Sequence, residues 1–160
     1  MPDQYKLQRF LDAQTDTYNH ALDELKAGRK QTHWMWFVFP QLAGLGRSDT
    51  AQRYAISDLD EASAYAAHPV LGPRLEACAQ ALLGWRQRTA AQILGSPDDI
   101  KLRSSMTLFA LAVPQNPVFT EVLKVFFSGE QDEGTLELAQ AGRVSGGRDE
   151  LALLARQTLQ

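Results

Sequence analysis

Apolar residues return at helical spacing along most of the chain. Leu7, Phe10 and Leu11, then Tyr18, Ala21, Leu22 and Leu25, fall three and four apart, which predicts one helix or two end to end. Lys26, Gly28, Arg29 and Lys30 close that region, since glycine and cations suit a helix C-terminus with its unpaired carbonyls. Leu71, Leu75, Cys78, Leu82 and Trp85 form a second stripe, and Leu102, Met106, Phe109 and Val113 a third. Phe119, Val122, Leu123, Phe126 and Phe127 follow at i, i+3, i+4, i+7 and i+8. Start signals stand between the stripes: Ser48, an Asp58/Glu61 pair that reads as a capping box, Ser96-Pro97-Asp98-Asp99, and Asn116-Pro117. The residue before Pro69 should end the helix that precedes it, at His68.

One stretch departs from the stripes. From Trp34 to Phe39 every side chain is apolar apart from the indole N–H groups, so the segment must be enclosed on all sides, as helix or as strand. No alternating pattern of useful length occurs elsewhere. The chain therefore reads as all-α, a compact multihelical single domain with about seven or more helices around a central aromatic helix. More than half the residues should be helical, with no sheet of three or more strands. Trp36, Phe37, Phe109, Leu123 and Phe126 should be almost fully buried. Residues 1–141 form the expected domain. Residues 142–160, with Gly142, Gly146 and Gly147, read as a hinge followed by an amphipathic helical tail.

Composition narrows the function classes. A hydrophobic share of 44% with 22% charged residues is that of a globular protein, and a net charge of −3 speaks against a general nucleic-acid binder. No apolar run approaches the ~20 residues of a membrane span. The N-terminus lacks a secretory pattern and Cys78 stands alone, so a cytoplasmic, reducing setting is expected, as monomer or homodimer. His20, His33 and His68 lack metal-ligand spacing, so neither a metal nor a cofactor is expected.

The segment Lys30-Gln31-Thr32-His33-Trp34-Met35-Trp36-Phe37-Val38-Phe39-Pro40-Gln41 resembles the signature of a bacterial family called domain of unknown function 1810. The likeness continues through Gly44-Leu45-Gly46-Arg47-Ser48, Tyr54-Ala55-Ile56, Glu61-Ala62, His68 to Leu75, Asp99 to Phe109, Phe126 to Gly129, and Asp132 with Thr135-Leu136. It runs from about Leu7 to Leu138 and implies a multihelical fold without implying a mechanism. Some relatives carry the label calpastatin, a disordered and repetitive inhibitor that a chain with a core does not match. The order of apolar and basic segments also resembles helical proteins that cleave N-glycosidic bonds in ADP-ribose derivatives. The comparable pieces are Lys101 through Phe109, Leu123 through Gly129, and Asp132.

The candidate chemistry gathers at the borders of the aromatic segment. Lys101, Ser104 and Ser105 share one side of a helix, and Lys101 either serves a ligand or pairs with Asp98 one turn earlier. His33 can carry a proton near neutral pH, or donate to a carbonyl in the core wall. Trp34 and Trp36 can stack a ring or simply fill the core. Arg47 and Ser48, in a glycine turn at a helix start, suit an anion, although the turn needs no ligand to exist. The catalytic candidates are thus His33 and Lys101. The ligand-binding candidates are Lys30, Trp34, Trp36, Gln41, Arg47, Ser48, Ser104 and Ser105. The expected partner is a small phosphorylated or carboxylated ligand, with an ADP-ribose-like nucleotide derivative as the specific form and N-glycosidic hydrolysis as the enzymatic one. A non-catalytic protein-interaction module, docking through its tail, is the alternative. In a third reading every motif serves the fold.

Overall fold

The structure is a computed structural model that describes residues 3–145. Ten helices occur in them, in the order α1 Gln8–Gln14, α2 Tyr18–Lys26, α3 Met35–Val38, α4 Asp49–Arg53, α5 Leu59–Ala67, α6 Leu71–Leu83, α7 Ala90–Leu94, α8 Asp98–Ala112, α9 Pro117–Phe127 and α10 Glu133–Ser145. The first helical region is two helices, broken at Thr15 and Thr17, and it ends on Gly28 at φ 75. The only β feature among the described residues is a parallel bridge between Leu42 and Ile56. The chain is all-helical, and its buried apolar residues join in one core.

Helix α8 packs against α5, α7, α9 and α10, while α6 packs against α2, α5 and α9. The reason is the α8 sequence: Leu102, Met106 and Phe109 form one buried stripe, and Ser104, Ser105, Thr107 and Leu108 are buried beside it. A helix buried on several faces has neighbours on several faces. The aromatic segment supplies a single turn, α3. Its core-facing pair is Met35 and Val38, three apart, together with the flanking Trp34 and Phe39. Trp36 and Phe37, between them in sequence, are only partly buried. Phe126 is also partly buried, near the end of α9, whereas Phe109 and Leu123 are enclosed as expected.

The start signals work with two changes. Ser48 Oγ accepts from Ala51 N, and Asn116 Oδ1 accepts from Val118 N with Pro117 in the first turn. Asp58 Oδ1 accepts from Glu61 N, but the Glu61 side chain does not complete a box. It turns instead to Ser57 N and Oγ and to Arg9 Nη2, at 2.8 Å each. A buried carboxylate gains more from a guanidinium than from one further backbone N–H. At α8 the cap position falls on Pro97 rather than Ser96, and no side chain caps it. The carbonyls of Gly95 and Pro97 take up the N–H groups of Asp99, Ile100 and Lys101. A reciprocal capping box between Thr89 and Gln92 starts α7, a start absent from the sequence-based expectations.

Gly72 shows a close approach that admits no other residue. A Cβ there would run into the Ala66 carbonyl oxygen, a backbone atom that cannot swing aside. Helix α10 runs on through Gly142 to Ser145. The rest of the expected hinge and tail, residues 146–160, lies outside the described residues.

Glu24 ties the end of α2 to the loop before α3. Its carboxylate accepts from Gln31 N, Thr32 N, Thr32 Oγ1 and Trp34 Nε1 at 2.6–3.0 Å. Burial alone would raise the Glu24 carboxyl, but these donors outweigh it and lower the group from 4.5 to about 2. A depressed carboxyl stabilises the fold above its unfolded value, and that contribution is lost as pH falls from 4.5 towards about 2. Urea unfolding at pH 6 and pH 3 should therefore show a smaller stability gap between wild type and Glu24→Gln at the lower pH. An equal gap at both would remove Glu24 as a source of acid sensitivity.

Candidate functional site

A cleft of about 470 Å³ opens beside α3, within the range of small-molecule sites. Three pieces of chain pack beside Trp36 of α3 to build it. The first runs from the loop after α3 into α4 and contributes Gln41, Leu45, Gly46, Arg47, Ser48 and Ala51. Two backbone hydrogen bonds close this loop, Ala43 N to the Ile56 carbonyl at 2.7 Å and Ile56 N to the Gln41 carbonyl at 2.8 Å. Gly46 lets the turn fold onto α4, because a Cβ there would stand 2.5 Å from that of Ala51. The second piece is the start of α8, with Pro97, Ile100, Lys101 and Ser104. The third is the start of α10, with Asp132 and Gly134. Trp36 of α3 forms the aromatic wall.

The cations differ in how far they are engaged. Lys101 Nζ lies 5.3 Å from the Trp36 ring centroid and 3.5 Å from Asp98 Oδ1, its side chain 29% exposed. The Arg47 guanidinium is exposed and has no ion pair or side-chain hydrogen bond among the described residues. Only its backbone carbonyl is used, accepting from Gln52 Nε2 at 2.9 Å. Asp132 brings a carboxylate: Oδ2 accepts from Thr135 N and Oγ1, and Oδ1 lies 3.9 Å from Arg103 Nη2. Aspartate and threonine three residues apart are the local signal for that cap. The cleft is thus cationic on the loop and α8 sides and acidic at α10.

Of the candidates named from the sequence, Trp36, Gln41, Arg47, Ser48, Lys101 and Ser104 line this one cleft. Two of their hydroxyls are partly engaged: Ser48 Oγ caps α4, and Ser104 Oγ donates to the Ile100 carbonyl at 3.3 Å. The other four lie elsewhere. Lys30 sits behind the α8 start, 2.9 Å from Asp98 Oδ2 and 5.1 Å from the Trp34 centroid. Trp34 is wholly buried, its Nε1 donating to Glu24 Oε1. His33 is exposed in the loop before α3 and does not line the cleft. Ser105 is enclosed in the core, and its Oγ has no hydrogen-bond partner among the described residues. Leu45, Ala51, Pro97, Ile100 and Gly134 join the lining without having been candidates, since an apolar residue or glycine carries no mark of a binding wall.

The buried Cys78 thiol is pushed up to about 12 by burial, so it stays protonated and unreactive at neutral pH. Among the described residues no cluster of three His, Cys, Asp or Glu side chains is placed to hold a metal ion. No described helix is long and apolar enough to cross a membrane.

No curated protein matches the chain. Among solved structures it is similar to the crystal structure of the conserved hypothetical protein Rv1873 from Mycobacterium tuberculosis. The two are 49% identical, with a TM-score of 0.84, over 85% of this chain and 97% of that one. Residues 4–139 match the family model described as "Protein of unknown function (DUF1810)". That match covers the ten-helix domain up to the middle of α10 and takes in all three pieces of the cleft, so the chain belongs to the DUF1810 family.

Proposed function

We propose that the cleft between the 41–51 loop, α8 and α10 binds a small anionic ligand, with a nucleotide derivative of the ADP-ribose type as the specific candidate. The observation that carries this reading is Arg47, a guanidinium without an internal partner among the described residues, in the same cleft as Lys101 and a half-buried tryptophan. Arg47 suits bidentate capture of a phosphate, and Lys101 adds a point charge. Trp36 offers an apolar edge to a sugar or base. His33, exposed outside the cleft, has no part in this arrangement. In the enzymatic form of the reading, Asp132 is the carboxylate available to an N-glycoside. It would activate water for attack on the anomeric carbon, as the carbon–nitrogen bond breaks and the nitrogen takes a proton.

Calorimetric titration with ADP-ribose, NAD and pyrophosphate tests the binding. Arg47→Ala and Lys101→Ala should each weaken it by about 10- to 100-fold, the scale of one lost charge-assisted hydrogen bond. No binding at millimolar ligand, or binding untouched by Lys101→Ala, would favour the protein-interaction module instead. Turnover is read separately, by mass spectrometry for release of the base, and Asp132→Asn should abolish it without unfolding the α10 cap.

A further inference from the structure

Asp98 opens α8, next in sequence to Pro97 of the cleft lining, and its two carboxylate oxygens serve two lysines. Oδ2 lies 2.9 Å from Lys30 Nζ, and Oδ1 lies 3.5 Å from Lys101 Nζ. The two contacts are unlike in strength. The Lys30 side chain is 8% exposed and holds the short contact. Lys101 is 29% exposed and holds the long one, within a single helix turn. A partly exposed contact of 3.5 Å within one helix turn is the weaker of the two. Each ammonium also lies over an indole, Lys30 over Trp34 and Lys101 over Trp36. Lys101 is therefore shared between Asp98 and the cleft, whereas Lys30 belongs to Asp98.

We propose that Asp98 is a built-in competitor for the ligand anion. An entering phosphate draws Lys101 away from Asp98 Oδ1, and Lys30 keeps the released carboxylate neutralised and in place. This deepens the anion-binding reading and rests on it: Asp98 sets how tightly the cleft holds an anion, and Lys30 contacts Asp98 rather than the cleft. The same geometry explains why a lysine outside the cleft lies so close to its chemistry.

The test is a double-mutant cycle read as pyrophosphate affinity, by calorimetry, in wild type, Asp98→Asn, Lys101→Met and the double variant. Removing a negative charge helps any anion through space, and that part is common to both backgrounds. Release of Lys101 is possible only where Lys101 is present. Asp98→Asn should therefore tighten binding by about two- to five-fold more in wild type than in the Lys101→Met background, the scale of one exposed ion pair. Equal tightening in both backgrounds, or weaker binding in Asp98→Asn, overturns the competition. If pyrophosphate binds neither wild type nor Asp98→Asn, the anion-binding reading itself fails. The amide oxygen introduced by Asp98→Asn can still accept from Lys30, and Asp98→Ser provides a second variant should Asp98→Asn not fold.

Discussion

Phe109→Ala should lower the unfolding free energy by roughly 3–5 kcal/mol, the cost of emptying an aromatic site in a close-packed core. Phe109 is fully enclosed, with its ring centroid 5.5 Å from that of Tyr65 and 5.6 Å from that of Phe119. It therefore links α8 to both α5 and α9, two of the helices against which α8 packs. The cavity cannot close by one side chain turning in, because its walls belong to three helices. Urea unfolding followed by circular dichroism measures the loss. A change under about 1 kcal/mol would mean that the site collapses far more readily than these packed walls allow.

Glu61→Ala should cost roughly 2–4 kcal/mol, somewhat below the figure for a completely enclosed ion pair. The Glu61 side chain is 4% exposed and that of Arg9 is 20% exposed, so the stranded guanidinium would keep some hydration. Arg9 also donates to the carbonyls of Tyr5, Lys6, Arg53 and Ala55, which joins the first helix to the loop behind the cleft. Glu61 in turn holds Ser57 through two bonds of 2.8 Å. Glu61→Gln, which keeps the shape and an acceptor, should cost less than Glu61→Ala. If Arg9→Met in the Glu61→Ala background costs as much as it does alone, the pair is not coupled and the loss has another origin.

The helices were largely legible because their signals act over a few residues. Asn116-Pro117 and Ser48 mark starts through hydrogen bonds to their own chain two or three positions on, so the sequence contains both partners. Glu61 shows where such reading stops. Its place in a capping pattern is local, but Arg9 stands 52 residues away and outcompetes the cap. The aromatic segment shows the same limit in its packing. A single helical turn at Met35 to Val38 has one core side, and nothing in a run of large apolar residues says which side that is.

The candidate site divides along the same line. By itself the sequence determined an all-helical chain, the stripes that bury Leu102, Met106 and Phe109, and a set of polar residues able to meet an anion. Tertiary structure decided which of them meet. It brought Trp36, Arg47 and Lys101 to one cleft, put Lys30 behind Asp98, closed Trp34 and Ser105 into the core and left His33 in solvent. The physical reason is distance along the chain. Spacing and caps join residues within a turn or two, whereas the cleft exists only where α3, the loop held by Leu42 and Ile56, α8 and the start of α10 pack together.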